Sequence, residues 1–239
     1  MQSTVKRWIA PIVLGVVALV VLGANSATAS TAETQTKKMP HMKRWPASSP
    51  QRQWLLAFAA EVAPVIRDRG FPLSVALAQA CAESGYGKRM PTNPWGVRGI
   101  GDMGSSSITT HEDYGKGQVK LSGQKFAKYS SNVAAATAYC DVLSDIRYRP
   151  GWPLIGANDG LWLVWLWATG YATARHYPSF VHQVSRRVAV ELGDAELLVG
   201  WNGEISAIAG KLGATPPKGG KRKELAEKLL KPYMAQPLA

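Results

Sequence analysis

The chain has 239 residues, of which 46% are hydrophobic and only 18% are charged, and this excludes a protein that is disordered over most of its length. The length suffices for one domain of ordinary size with appendages at its ends. The formal net charge of +12 favours a polyanionic partner, such as nucleic acid, anionic lipid or a bacterial wall rich in phosphate and carboxylate.

The chain begins with the pattern of an export signal. Two basic residues at 6–7 precede a charge-free apolar run at 8–23, and Ala27-Thr-Ala29 follows as a small-residue cleavage pattern. We therefore predict that residues 1–29 direct export to the periplasm, the cell wall or the medium. An uncleaved membrane anchor is the alternative, because the uncharged stretch continues past the cleavage pattern.

A polar segment and a first helix follow. Residues 30–50 are basic and contain prolines, which is typical of a linker. Residues 51–66 carry apolar side chains at helical spacing, and we expect Pro64 to kink the end of this helix. The predicted apolar face consists of Trp54, Leu55, Phe58, Val62 and Ile66.

Residues 72–87 predict a second helix with one carboxylate, Glu83, in its last turn. Alanine and leucine favour the helix, and Gly85 and Gly87 supply a left-handed C-terminal cap. The negative end of the helix dipole and partial burial both disfavour a charge on Glu83, so we expect a raised pKa and a proton available near neutrality. Such a carboxyl group suits a general acid, and a surface glutamate near a helix end is the alternative. The predicted buried stripe is Leu73, Leu77 and Cys81.

The remaining chain predicts a small β-lobe followed by more helices. A loop rich in Gly and Pro at 93–99 leads to two extended segments within 108–129, joined by a turn at 114–117. Three tryptophans at 162, 165 and 167 belong to a helical pattern and are predicted as core. Helical spacing is present at 135–146, 161–167 and 180–192. We therefore expect a mostly helical α+β fold.

Two cysteines, Cys81 and Cys140, fall on predicted helices. Export makes a disulfide between them chemically feasible, and two separate buried thiols are the alternative. Neither the cysteines nor the four histidines have the spacing of a metal site, so we predict no metal and no other cofactor.

Residues 193–239 form a basic extension with short helical patterns. From Lys211 to Lys231 the chain carries seven basic and two acidic side chains, which gives +5. We expect weak electrostatic adhesion to an anionic wall or membrane surface, with the extension either packed on the domain or forming a separate tail.

Segment by segment, the chain resembles the glucosaminidase domains of glycoside hydrolase family 73. These are lysozyme-like peptidoglycan hydrolases found in bacterial autolysins, in the flagellar rod-associated hydrolase and in phages. The resemblance covers residues 51–192 and consists of four motifs in the family's order and spacing. The motifs are Leu77-Ala-Gln-Ala-Cys-Ala-Glu-Ser-Gly-Tyr-Gly87, Asn93-Pro-Trp-Gly-Val-Arg98, Thr109-Thr-His-Glu112 with Lys125-Phe-Ala-Lys-Tyr-Ser-Ser131, and Gly170-Tyr-Ala-Thr173 with Tyr177.

The resemblance implies a lysozyme-like fold in which a β-hairpin lies across a cleft from the catalytic helix. Glu83 is then the proton donor to the glycosidic oxygen. Glu112, at the start of the hairpin, is the implied second carboxylate, which activates water or stabilises positive charge at the sugar. Asp113 is a rival, because it stands where the family usually has the tyrosine that here follows as Tyr114.

The resemblance also implies the residues that hold the substrate. Tyr171 is given a near-catalytic place, where its hydroxyl is expected to hold the acetamido group or the reacting sugar, and a core tyrosine is the alternative. Trp95 replaces a phenylalanine of the family and is expected to offer a larger stacking platform for a sugar. The other candidate substrate-binding residues are Gln79, Asn93 and Tyr177. Ala174-Arg175 departs from the usual Asp-Pro of the family.

These implications predict an exported endo-β-N-acetylglucosaminidase that cleaves the β-1,4 bond between N-acetylglucosamine and N-acetylmuramic acid in peptidoglycan. A muramidase or lytic transglycosylase that acts at the other glycan bond is one alternative. An inactive module that only binds the cell wall is another. Export argues against nucleic acid as the partner.

Overall fold

The chain folds around a short central helix that carries Glu83. The structure is a computed structural model that describes residues 37–113, 118–216 and 220–235, with the side chains at 111–113 and 118 outside the description. The predicted export signal at 1–29 therefore lies outside the described residues. The elements are α1 (Pro50–Asp68), α2 (Leu73–Ser84), β1 (Ser105–Asp113), β2 (Gln118–Ala127), α3 (Asn132–Leu143), α4 (Pro153–Ala157), α5 (Asp159–Ala168), α6 (Tyr177–Leu192), α7 (Gly203–Gly213) and α8 (Lys221–Met234), with single 3-10 turns at Arg149–Gly151 and Ala195–Leu197.

Helix α1 confirms the predicted apolar face. The Ser49 hydroxyl caps its first turn by accepting a hydrogen bond from the backbone N–H of Arg52. Pro64 lies inside the helix, which continues to Asp68 rather than ending at the predicted residue 66. The side chains that α1 buries are Leu55, Phe58, Ala59, Val62 and Ile66.

Helix α2 is buried on nearly all sides. Every residue from Ser74 to Cys81 is buried, because α1, α5 and α6 all pack against this one helix. The predicted one-sided stripe was therefore too narrow, and Leu73 lies only partly buried at the rim of the core. A helix with apolar residues all round needs neighbours all round, so α2 is held rigidly at the centre of the fold.

The β-lobe is a two-stranded antiparallel hairpin, as predicted. Its register runs from Ser105 paired with Ala127 to Asp113 paired with Gln118, with an irregularity between Ile108 and Thr110. The loop that precedes β1 hydrogen-bonds to β2, since the N–H of Ala127 donates to the carbonyl of Val97 at 2.9 Å. The hairpin is thereby attached to the segment that follows α2. The predicted turn at 114–117 lies outside the described residues.

The tryptophan-rich helix α5 and the C-terminal extension form one packed body. The three tryptophans of α5 are fully buried, which confirms their prediction as core. Helices α7 and α8 both contact α5, and the guanidinium of Arg222 lies 4.4 Å from the ring centre of Trp167. Of the two arrangements left open for residues 193–239, the described part of the extension packs on the domain.

The segment predicted as a linker contacts the domain where it is described. Residues 37–49 have no regular secondary structure, yet Arg44 Nε donates to the carbonyl of Val190 at 2.8 Å and Lys37 Nζ lies 3.2 Å from a carboxylate oxygen of Asp159. The polar and basic composition predicted a linker here. The contacts place this part of it against α5 and α6.

The two cysteines are free and buried, so the disulfide alternative is not realised. Burial raises the pKa of the Cys140 thiol to about 11, and it raises the pKa of Cys81 further. Both thiols are therefore inert hydrophobic groups of the core at neutral pH. Among the helices of the described residues, none combines the length and hydropathy needed to cross a membrane.

Candidate functional site

The site begins where α2 ends, one residue after Glu83. Gly85, Tyr86 and Gly87 all have left-handed backbone conformations, with φ of 59°, 59° and 78°. The Ser84 hydroxyl donates to the carbonyl of Ala80 at 2.7 Å and accepts from the N–H of Gly87 at 2.9 Å. This tight turn stops the helix and leads the chain away, which leaves Glu83 half-buried at the open end of α2.

A chain of buried hydrogen bonds leads from the core to Glu83. The Tyr139 hydroxyl donates to Gln79 Oε1 at 2.6 Å, and Gln79 Nε2 donates to the Tyr177 hydroxyl at 3.2 Å. Tyr177 in turn hydrogen-bonds Glu83. Because the Tyr177 oxygen already accepts from Gln79, its own proton is directed to the carboxylate. Three buried side chains from α2, α3 and α6 thus fix the orientation of Glu83.

Two tyrosines next to Glu83 remain neutral phenols. Burial raises the pKa of Tyr171 and of Tyr177 well above the usual value, and Glu83 raises both further when its carboxyl group is ionised. Tyr171 packs edge-on against Tyr139, with ring centres 6.4 Å apart, and its centre lies 6.1 Å from that of Tyr177. Its ring remains half-buried, so Tyr171 lies beside Glu83 with part of its surface open.

The predicted second carboxylate is on β1. The backbone of Glu112 pairs with Val119 and that of Asp113 pairs with Gln118. Both carboxyl groups lie outside the described residues. The choice between Glu112 and Asp113 therefore stays a prediction.

Asn93 has a different role from the predicted one. Its side chain is 2% exposed, and it donates to the carbonyls of Val97 and Ala127 at 2.8 and 2.9 Å while accepting from the N–H of Val97 at 2.8 Å. Both amide protons and the amide oxygen are thus engaged. Asn93 ties the loop after α2 to the hairpin and has no free group for a sugar.

Trp95 is not a sugar platform, and that prediction is wrong. The side chain is only 3% exposed, one ring face stacks on Tyr139 at 4.8 Å, and Nε1 donates to the carbonyl of Ala76 at 2.8 Å. The larger ring fills the core between α2 and α3 instead. Gln79 is also fully buried, and Tyr177 is 6% exposed. These two residues therefore orient Glu83 through hydrogen bonds from the core and do not line an open substrate surface.

Tyr139 is a site residue that was not among the predicted ones. It falls within the predicted helical pattern at 135–146, and it is fully buried. A buried tyrosine needs a hydrogen-bond partner for its hydroxyl, and this requirement was the signal in the sequence that could have pointed to a polar role for Tyr139. The partner, Gln79, lies 60 residues earlier in the chain, so the sequence alone did not identify it.

A large cavity lies at the opposite end of α2. It has a volume of about 1140 Å³, and its walls include Phe71, Ser74, His182 and Trp201. About 15 Å of helix separate the first turn of α2 from Glu83 at 1.5 Å per residue, so this cavity is not the cleft at the carboxylate. Within residues 37–113, 118–216 and 220–235, no group of three or more His, Cys, Asp or Glu side chains is arranged to hold a metal ion.

Comparison with known proteins gives one family and several similar folds. The profile of the glucosaminidase family, described as mannosyl-glycoprotein endo-beta-N-acetylglucosaminidase, matches residues 60–189, which is more than half of the chain. No curated protein matches the sequence significantly.

Two solved structures are similar in fold. The catalytic domain of the autolysin Auto from Listeria monocytogenes is 23% identical with a TM-score of 0.50, and the match covers 62% of this chain and 91% of that domain. A mutant of a peptidoglycan hydrolase from Sphingomonas sp. A1 is 22% identical with a TM-score of 0.51, and the match covers 59% of this chain and 98% of that protein. These similarities agree with the expected mostly helical fold with a small hairpin lobe.

Proposed function

Because the chain belongs to the glucosaminidase family and is therefore a glycoside hydrolase of the endo-β-N-acetylglucosaminidase type, we propose that its substrate is peptidoglycan. The bond cleaved is the β-1,4 bond between N-acetylglucosamine and N-acetylmuramic acid. The two similar structures described above, an autolysin domain and a peptidoglycan hydrolase, support this substrate class.

The observation that carries the proposal is the orientation of Glu83 at the open end of α2. Glu83 donates its proton to the glycosidic oxygen as the bond to the sugar carbon breaks. Tyr177 hydrogen-bonds the carboxyl group and so restricts its orientation. Positioning of this kind lowers the barrier, because the acid need not be reoriented in the transition state.

Positive charge then develops on the sugar, and a second group must stabilise it or activate the water that attacks the sugar. We assign this role to Glu112, with Asp113 as the alternative, acting as a base for water or as an electrostatic stabiliser. Tyr171, a neutral phenol beside Glu83, holds the acetamido group or the reacting sugar. The two carboxylates belong to different elements, so we expect inversion or assistance by the acetamido group. Measuring the anomer released first tests this, and a trapped covalent glycosyl-enzyme would contradict it.

Mass analysis of digested, purified peptidoglycan identifies the bond. The proposal predicts fragments with a reducing N-acetylglucosamine end. A reducing N-acetylmuramic acid end would indicate a muramidase, and a 1,6-anhydro end would indicate a lytic transglycosylase.

A wall-binding module without activity is the alternative from another class. The Glu83→Gln variant separates the two, because it removes the proton and keeps the shape of the side chain. We expect it to lose wall digestion and to sediment with insoluble peptidoglycan as the parent protein does. A parent that binds the wall but releases no fragments would indicate the binding module.

The basic extension and the export signal belong to the same proposal. Exposed lysines at 211, 221, 228 and 231 lie on α7 and α8 and suit weak adhesion to anionic wall polymers. Such adhesion weakens as salt screens the charges, so wall binding is expected to decrease between low and high ionic strength. Export through residues 1–29 brings the enzyme to this substrate.

A further inference from the structure

Tyr86 holds a backbone conformation that its side chain disfavours. Its φ of 59° lies in the left-handed region, and it is flanked by two glycines in the same region. For a residue with a Cβ atom, this conformation costs about 1–2 kcal/mol. Local hydrogen bonds support the turn, from the N–H of Tyr86 to the carbonyl of Cys81 at 3.3 Å and from the N–H of Gly87 to the Ser84 hydroxyl at 2.9 Å. Contacts to the Tyr86 side chain from elsewhere in the fold add to this support.

The contacts come from the N-terminal strap, which we define as residues 37–49. The ring of Trp45 packs edge-on against the ring of Tyr86, with centres 5.0 Å apart. The guanidinium of Arg187, on α6, lies 5.0 Å from the centre of the same indole. Tyr86 is therefore packed against a side chain from the segment that precedes α1.

A buried carboxylate fastens the strap at this point. The side chain of Glu191 has no exposed surface and accepts a hydrogen bond from the backbone N–H of Trp45 at 2.9 Å. Arg187 and Arg52 approach its two oxygens at 3.1 and 3.4 Å, so its charge is compensated. Arg187 also donates to the carbonyl of Lys43 at 2.7 Å. Trp45 is thus held both by its backbone N–H, which Glu191 binds, and by its ring, which packs against Tyr86 and Arg187.

We propose that Trp45 is a positioning residue for the catalytic acid: through Tyr86, the strap holds the turn that ends α2 and thereby the placement of Glu83. This inference rests on the proposed function of Glu83. A small displacement of an acid relative to its substrate lowers the rate about 10- to 100-fold while leaving the binding surface intact. Loss of Trp45 should therefore act on kcat rather than on KM.

The competing explanation is that Trp45 only stabilises the fold. Trp152 provides a matched control, because it also packs edge-on against an aromatic ring and lies under an arginine. Its ring centre is 6.3 Å from that of Phe71 and 5.9 Å from the guanidinium of Arg149. Phe71 precedes the first turn of α2, so Trp152 lies at the end of the helix remote from Glu83.

The test compares full-length parent, Trp45→Ala, Trp45→Phe and Trp152→Ala on soluble, uncross-linked peptidoglycan strands. We expect kcat of Trp45→Ala to be about 10-fold lower with KM within about 2-fold of the parent. Trp45→Phe, which keeps a ring against Tyr86, should recover most of kcat. Trp152→Ala should keep kcat within about 2-fold of the parent, even if its melting temperature decreases as much as that of Trp45→Ala.

A double-mutant cycle with Tyr86→Gly tests the route of the effect. If Trp45 acts through Tyr86, adding Trp45→Ala to Tyr86→Gly should change kcat by less than about 2-fold. Unchanged kcat in Trp45→Ala, an equal loss in Trp152→Ala, or additive effects in the cycle would each overturn the inference. If Trp45→Ala does not fold, the same comparison is made with Trp45→Leu. A parent that cleaves no glycan would instead overturn the proposed function, and with it the role of Trp45.

Discussion

The Tyr177→Phe substitution removes one hydroxyl group from the centre of the hydrogen-bond chain that holds Glu83. In the parent, this oxygen accepts from Gln79 at 3.2 Å and donates to Glu83. Phenylalanine keeps the ring, which is buried against α2, and deletes both bonds. The change therefore isolates the hydrogen bonds from the packing.

Two losses follow from the structure. Gln79 Nε2 is left without this partner at a fully buried position, which costs about 1–3 kcal/mol of folding free energy. The bond to the carboxylate that Glu83 becomes as it gives up its proton is also lost, and hydrogen bonds to charged groups contribute about 1.5–3 kcal/mol. Because 1.4 kcal/mol corresponds to a factor of ten, we expect kcat to decrease about 10- to 100-fold.

The assay pairs urea unfolding with kcat on soluble peptidoglycan strands. Tyr139→Phe is the control, because it removes a hydroxyl from the other end of the chain and leaves Gln79 Oε1 unpaired without touching Glu83. Both variants should lose similar stability, and Tyr177→Phe should lose more activity. Parent-like stability and kcat in Tyr177→Phe would refute the reasoning.

Three further predictions concern the core around the site. Gly87→Ala should lower the free energy of unfolding by about 1–3 kcal/mol in denaturation experiments, because an added Cβ would lie 2.4 Å from Trp54 Nε1; parent-like stability would contradict this. The raised pKa values of the site tyrosines favour the neutral folded form, so their contribution to stability should be level below pH 10 and decrease as the pH rises above it; no further loss of stability at higher pH would count against their burial. Both cysteine thiols should resist a thiol reagent in the native protein and react after unfolding without reductant, whereas finding no reactive thiol would indicate a disulfide.

Local sequence patterns accounted for α1, α2 and the hairpin. The glycines after Glu83 predicted the helix end, and the left-handed turn is there. These features depend on residues that are neighbours in the chain, so periodicity and capping rules can predict them. The position of Glu83 in the last turn was predictable for the same reason.

Burial of individual motif residues was less predictable. The motif at 93–98 placed Trp95 near the site, but whether its ring faces a cleft or the core depends on how the hairpin closes over the loop. The contact between the strap and α6 had no local signal at all. Trp45 and Glu191 are 146 residues apart, and the composition of residues 30–50 indicated a linker.

The most direct test of the account measures whether Glu83 supplies a proton to the leaving group. Glu83→Gln is compared with the parent on peptidoglycan strands and on an aryl chitobioside whose acidic phenol leaves without protonation. We predict a loss of about 10²- to 10⁴-fold on the strands and a much smaller loss on the aryl glycoside. Undiminished cleavage of the strands, or an equal loss on both substrates, would contradict the assignment of Glu83 as the general acid.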